Sequence, residues 1–299
     1  MTAGLAGVVG GLRRHLFTIG RMRRAILPVI LLTPLAAGCG GGPEAGGSDP
    51  AAEAGAAPAT EEALCLDMGP QTPRDIADPA GLNAEMFPLA PSGSEMNLCN
   101  LHTHTNAEHK GPGFSVFVSD AEDGGYACNE GADLTPAELE PAEGAYGGVN
   151  PGDTIEVHWV HTSCDAAPGV GLGACVPEDC EAPLLRVEAQ VFLVVNDPEA
   201  LDFTTMAYGG NMTGGLHQAK MIPSTTGEPV LFRGSTTGPS YDQSTCSPAR
   251  VTWSVRPQCA RLDIGSLHRW AASGNVFDET KSHGVRQLVT APELLAPIE

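Results

Sequence analysis

Three histidines on two short segments carry the chemistry open to this chain. His102 and His104 stand two apart in Leu101-His-Thr-His-Thr-Asn-Ala-Glu-His109, and His158 follows in Glu156-Val-His-Trp-Val-His161. In an extended strand, side chains two apart share a face, so His102 and His104 point at one spot. A third imidazole from a neighbouring strand, His158, completes three nitrogen ligands and leaves a fourth position for water. That donor set belongs to a catalytic zinc, because structural zinc closes all four positions with protein ligands. The expectation is a Zn2+ enzyme that makes hydroxide at neutral pH. Three imidazoles and a water also suit Co or Cd.

Strands must hold these residues. Residues 96–104, 154–161, 184–195 and 251–255 read as strands bounded by turn residues, with Pro151-Gly-Asp153 turning into the second. Helical pattern is scarce: a turn at 136–139 and a short helix at 264–272. The fold class expected is mainly β, a single domain with a central, mostly antiparallel sheet, long loops and few short helices. Alternation sets Leu98, Asn100, His102 and His104 on one face of the first strand. In the second, Thr154, Glu156, His158 and Val160 share a face, and Val157, Trp159 and His161 take the other. Without a bulge, His158 and His161 cannot reach the same metal. His158 is the ligand expected, because Glu156 on its face can accept the other ring N–H and fix the tautomer. His161 remains the alternative, and otherwise reads as a packed histidine.

The rest of the chain bounds where this chemistry happens. Arg21, Arg23 and Arg24 precede a short apolar run that ends in Leu35-Ala-Ala-Gly-Cys39, too short to span a bilayer. The ending resembles a bacterial lipobox, which implies cleavage before Cys39 and a lipid anchor on its thiol; Met22 is an alternative start to Met1. Residues 1–39 are thus expected to be a lipoprotein signal peptide, 40–62 a flexible tether of Gly, Ala, Pro, Ser and Glu, and 63–299 one catalytic domain. The expected location is the bacterial envelope, on the periplasmic or surface face of an outer membrane. Net charge is −20, and loss of the five leader arginines takes it to −25. Such a field repels phosphate backbones and argues against nucleic acid as a partner. Of nine cysteines, eight remain beyond Cys39, an even count that in an exported domain suggests up to four disulfides. Cys175 and Cys180 are expected to close a small loop between themselves.

Over roughly residues 85–295 the chain resembles the delta class of carbonic anhydrases. The resemblance is carried by Asn100-Leu-His-Thr-His-Thr-Asn-Ala-Glu-His-Lys-Gly111, Val157-His-Trp-Val-His-Thr-Ser-Cys164 and Gly234-Ser-Thr-Thr-Gly-Pro-Ser-Tyr241. Cys246-Ser-Pro, Val251-Thr-Trp-Ser-Val-Arg-Pro257 and His283-Gly-Val-Arg-Gln-Leu-Val289 follow in order. A fainter similarity to the alpha class runs through His102/His104, Glu108-His109, Glu156 to His161, Ser235-Thr-Thr237 and Val251-Thr-Trp253. There the chain lacks the residue between Ser and Thr-Thr and has Gly238-Pro239 for Pro-Pro, which leaves Thr236 against Thr237 open. The resemblance implies an alpha-carbonic-anhydrase-like fold and reversible hydration of CO2 to bicarbonate by a zinc-bound hydroxide. It also implies that the hydroxyl of Thr236 donates to the buried carboxylate of Glu108 while accepting from the nucleophile. CO2 needs an aliphatic pocket, for which Val160 and the run 191–195 are candidates, the run also reading as a core strand. Proton release needs a shuttle from among His109, His161, His217 and His283.

Two other readings use the same residues. His102, His104 and Glu108 also fit the first metal motif of cupins, which would make the protein a metal-dependent dioxygenase or isomerase. The second cupin motif fits badly, since Thr162 stands where Asn is wanted after His158. The other is a non-catalytic metal-binding surface lipoprotein, which leaves Glu156, Glu108 and the Thr236-Thr237 loop without a role.

Overall fold

Alternating apolar residues in four segments and a fifth, less regular one build a central sheet. The structure, a computed structural model, describes residues 63–299. The leader with Cys39 and the tether lie outside the described residues. Along the chain come β1 (Asn97–Thr105), β2 (Val116–Ser119), β3 (Gly125–Ala127), β4 (Thr154–Thr162) and β5 (Leu185–Val195). Then follow α1 (Phe203–Met206), β6 (Met212–Thr213), β7 (Leu216–His217), β8 (Val230–Ser235), β9 (Arg250–Asp263) and α2 (Ile264–Ala272). The main sheet has the order β1-β4-β5-β9-β8. Every neighbouring pair is antiparallel except β5 and β9, which run parallel. The architecture is mainly β with a mostly antiparallel sheet, as the sequence leads one to expect, and the one parallel pair makes the sheet mixed.

Each face of the sheet carries its own core. Leu98, Leu101, Val157, Trp159 and Phe192 face α2, which lays Ile264, Leu267 and Trp270 on them. The Asp263 side chain caps that helix by accepting the Gly265 N–H. The other face gathers Val160, Val187, Val191, Phe232 and Trp253. Burying whole aliphatic side chains on both faces stabilises the sheet by roughly 1.5–3 kcal/mol for each. It also makes a register slip costly, because every side chain would change face.

Three expectations need correction. First, Leu98 does not share a face with His102: the register to β4 shifts between Leu98 and Asn100. That bulge turns Leu98 and Leu101 into the same core, with His102 and His104 on the opposite face. Second, β9 does not stop at Val255 but runs on to Asp263. Pro257 falls just past the last β8 pair and where the β5 pairing skips, the place in a sheet where a missing N–H costs no ladder bond. Third, Cys175 and Cys180 do not close a loop on each other. Cys175, in a short 3-10 turn, bridges to Cys99 at the bulge, and Cys180 bridges to Cys164 just past β4. With Cys65–Cys246 and Cys128–Cys259, four disulfides use all eight domain cysteines.

Candidate metal centre

The β1–β4 register sets His102 directly opposite His158 and His104 opposite Glu156. The three imidazoles of His102, His104 and His158 therefore stand together, with ring centroids 4.6–5.1 Å apart. Each offers a nitrogen within 4.8 Å of the others. His158 Nδ1 and His102 Nε2 lie 3.3 Å apart. Two nitrogens about 2.0–2.1 Å from one tetrahedral zinc would sit roughly 3.3–3.4 Å from each other. The donor set and this spacing fit zinc.

The remaining ring nitrogens face acceptors. His102 Nδ1 lies 2.7 Å from Asn100 Oδ1, whose Nδ2 in turn donates to the Gly169 carbonyl at 3.1 Å. That bond fixes the tautomer of His102 and leaves Nε2 free for a metal. His104 Nδ1 stands 3.4 Å from Glu108 Oε2. His158 Nε2 lies between Glu156 at 3.6 Å and Glu108 at 3.7 Å, both longer than a hydrogen bond. Glu156 spends its stronger contacts elsewhere: Oε2 accepts the Glu108 N–H at 2.7 Å and Oε1 lies 3.1 Å from His109 Nδ1.

Charges follow from burial and neighbours. Burial, then His158 and His104, press the His102 imidazole well below the usual histidine range. Burial and His104 lower His158 as well, so both are neutral at pH 7, as metal ligands must be. Burial also acts against a charged His104, but the Glu108 carboxylate outweighs it and raises that imidazole. Burial would raise both carboxyls, yet His104 and His158 hold Glu108 low, and His109 and His158 hold Glu156 well below the usual range.

A cavity of about 320 Å3 opens onto the three histidines. Its walls include Val160, Val170, Leu172, Leu185, Val187 and Val251, with Thr236 and Thr237 on one side. Val160 is thus in the wall, whereas residues 191–195 are absent from it and belong to the two cores. Among the described residues, the Thr236 hydroxyl makes no hydrogen bond to Glu108. Its Oγ1 pairs with Ser247 Oγ at 2.5 Å.

The four shuttle candidates separate by position. His109 is fully buried against Trp253. His161 is buried on the opposite face of β4, with Nδ1 donating to the Trp159 carbonyl at 3.1 Å. His217 bonds the Tyr208 hydroxyl and lies outside the cavity wall. His283 lines the cavity, its side chain is 51% exposed, and its Nε2 lies 2.9 Å from Glu279 Oε2. Its backbone is fixed along the free edge of β1 by bonds to Thr103 and Thr105.

Sequence reasoning passed over Asn100, Ser247 and Glu279. For Asn100 a signal exists, since it stands two residues before His102 on the same strand face. Ser247 and Glu279 reach the site from loops, where no periodicity marks them.

A family model described as Delta carbonic anhydrase matches residues 93–266, more than half of the chain. No curated protein matches it. Among solved structures, a hyperthermostable carbonic anhydrase from an active hydrothermal vent chimney is 15% identical at a TM-score of 0.31, over 77% of this chain and 86% of that one. The alpha-carbonic anhydrase of Thermovibrio ammonificans, solved with the inhibitor sulfanilamide, is 15% identical at a TM-score of 0.24 (71% and 82%). The alpha-carbonic anhydrase of Photobacterium profundum is 16% identical at 0.24 (74% and 87%). Likeness at this level fixes neither topology nor site.

Proposed function

The chain belongs to the delta carbonic anhydrase family, and from that premise we propose that it hydrates CO2 reversibly at a zinc ion held by His102, His104 and His158. The observation that carries this is the convergence of three imidazole nitrogens, two of them 3.3 Å apart, at the floor of a mainly aliphatic cavity. Held by these three imidazoles, zinc would supply Lewis-acid chemistry and a nucleophile at neutral pH.

The chain's own residues do the rest. Asn100 and Glu108 hold the outer nitrogens of His102 and His104, so the inner ones stay aimed at the metal. Glu156, buried and anionic, stands beside His158 and anchors His109 and the Glu108 backbone behind it. CO2 is apolar and offers no handle for specific hydrogen bonds, which suits walls of Val160, Val187 and Leu185. His283, at the cavity mouth beside Glu279, is the imidazole positioned to pass the released proton to solvent. Four disulfides support an exported domain. We place it on the envelope, tethered by a lipid at Cys39.

The test is stopped-flow CO2 hydration by the purified protein with metal content measured on the same sample. One zinc per chain and rapid hydration are expected, both lost in His158→Ala. Iron or manganese without hydration would sink this reading and bring the cupin-type alternative forward.

A further inference from the structure

The resemblance pairs the Thr236 hydroxyl with the Glu108 carboxylate, but the two part company in the fold. Glu108 is turned to the histidines, 3.4 Å from His104 Nδ1. Thr236 Oγ1 lies against Ser247 Oγ, a residue from the other side of its loop and only 2% exposed. Resting on the function proposed above, we infer that Ser247 is the positioning residue of the Thr236 hydroxyl, and that Gln71 holds Ser247 in turn.

Ser247 is bracketed by a single side chain. Its N–H donates to Gln71 Oε1 at 2.8 Å, and its carbonyl accepts from Gln71 Nε2 at 3.1 Å. Gln71 is 1% exposed, so these bonds are made away from water, where leaving them unmade is costly. The preceding residue, Cys246, is bridged to Cys65. On the other flank, Thr72 Oγ1 donates to the Ser235 carbonyl at 2.6 Å and accepts the Ser235 N–H at 3.2 Å. The segment 65–72, which precedes the family match, therefore clamps both neighbours of the Thr236–Ser247 pair. Among the described residues the outer nitrogens of the three histidines face Asn100, Glu108 and Glu156 instead, so the pair orients the cavity wall and not the metal ligands.

The identity of the partner changes what Thr236 can do. An ionised carboxylate only accepts, so it forces the threonine proton toward itself. A serine hydroxyl both donates and accepts. Ser247 thus fixes where the Thr236 oxygen sits while leaving it free to present a proton or a lone pair to the cavity.

The experiment is a double-mutant cycle on the zinc-loaded protein with Thr236→Val and Ser247→Ala. Each single change should lower kcat/KM by about tenfold or more, and the double variant should fall no further than Thr236→Val alone. Ser247→Thr, which keeps the hydroxyl, should recover most of the loss. Two readouts stand apart from activity. Zinc affinity should move by less than about twofold in Ser247→Ala but fall by about tenfold or more in Glu108→Gln. In the metal-free protein, the unfolding free energies of the same cycle should be non-additive. Independent, multiplying effects of the two changes, or non-additivity of Thr236→Val with Glu108→Gln instead, would overturn the assignment. A parent protein that binds zinc and does not hydrate CO2 would sink the functional reading. The metal-free unfolding cycle would then still decide whether Ser247 holds Thr236.

Discussion

His158 and His161 stand three residues apart on one strand, both buried, and their surroundings make them different objects. His158 faces two other imidazoles and two carboxylates, and its Nδ1 comes within 3.3 Å of His102 Nε2. His161 faces the core on the other side. One nitrogen donates to the Trp159 carbonyl, and the other has no partner among the described residues and lies beside Gly93, where an added Cβ would lie 3.0 Å from the ring. Burial makes both imidazoles neutral. Only convergence turns one of them into a candidate ligand. A buried histidine is therefore weak evidence of a site, and a register that brings several to one point is strong evidence.

The sharpest way to break this comparison is to exchange the two positions. His158→Ala should abolish zinc binding and hydration together. His161→Gln should keep one zinc per chain, measured by metal analysis after dialysis. Loss of metal from His161→Gln with retention in His158→Ala would reverse the roles assigned here.

Next in size is an effect of acid on folding, of which the share due to His161 can be separated by substitution. Burial lowers its pKa to about 4 from 6.5. Between those values the unfolded chain binds more protons than the folded one, so stability rises with pH across that window. The contribution is fully present above pH 6.5 and is lost as pH falls to about 4, on the order of 3 kcal/mol in all. Denaturant titrations of the metal-free parent and of His161→Gln at pH 7 and pH 4.5 should differ by most of that amount. Parallel stability curves would show that His161 titrates normally and is not sealed from solvent.

Smaller again is the effect of the groups behind the ligands, which are what His161 lacks. Asn100→Ala removes the acceptor of His102 Nδ1. Zinc affinity should drop by about 10–100-fold, read by competition with a chelator. An unchanged affinity would mean that the strand register alone orients His102.

Legibility in the sequence follows the same division. The pairing of His102 and His104, the separate faces of His158 and His161, and the helix Ile264–Ala272 all follow from period-2 or helical patterning. The bulge that sends Leu98 to the opposite face is invisible, because Cys99 reads as one more buried strand residue. The extension of β9 past Val255 is hidden by Pro257, which reads as a stop unless the end of β8 is known. The Ser247–Thr236 contact joins residues eleven apart across a loop held by Gln71 and a disulfide to Cys65. Such contacts are set by tertiary closure and leave no periodic trace.

His283 gives the last and smallest test, and it contrasts a histidine at the mouth with the two that are sealed. Its ring lies 6.2 Å from that of His102, its backbone is pinned to β1, and half of its side chain meets solvent beside Glu279. That position is open both to the cavity and to solvent, whereas His109 and His161 are fully buried. His283→Ala should lower kcat by about tenfold in dilute buffer, since proton removal then falls to water. It should leave kcat/KM nearly unchanged, because capture of CO2 precedes that step. Added imidazole should restore kcat in the variant and do little for the parent. A variant that loses kcat/KM in proportion, with no recovery in imidazole, would instead make His283 a support for the β1 edge, and the proton would leave by another route.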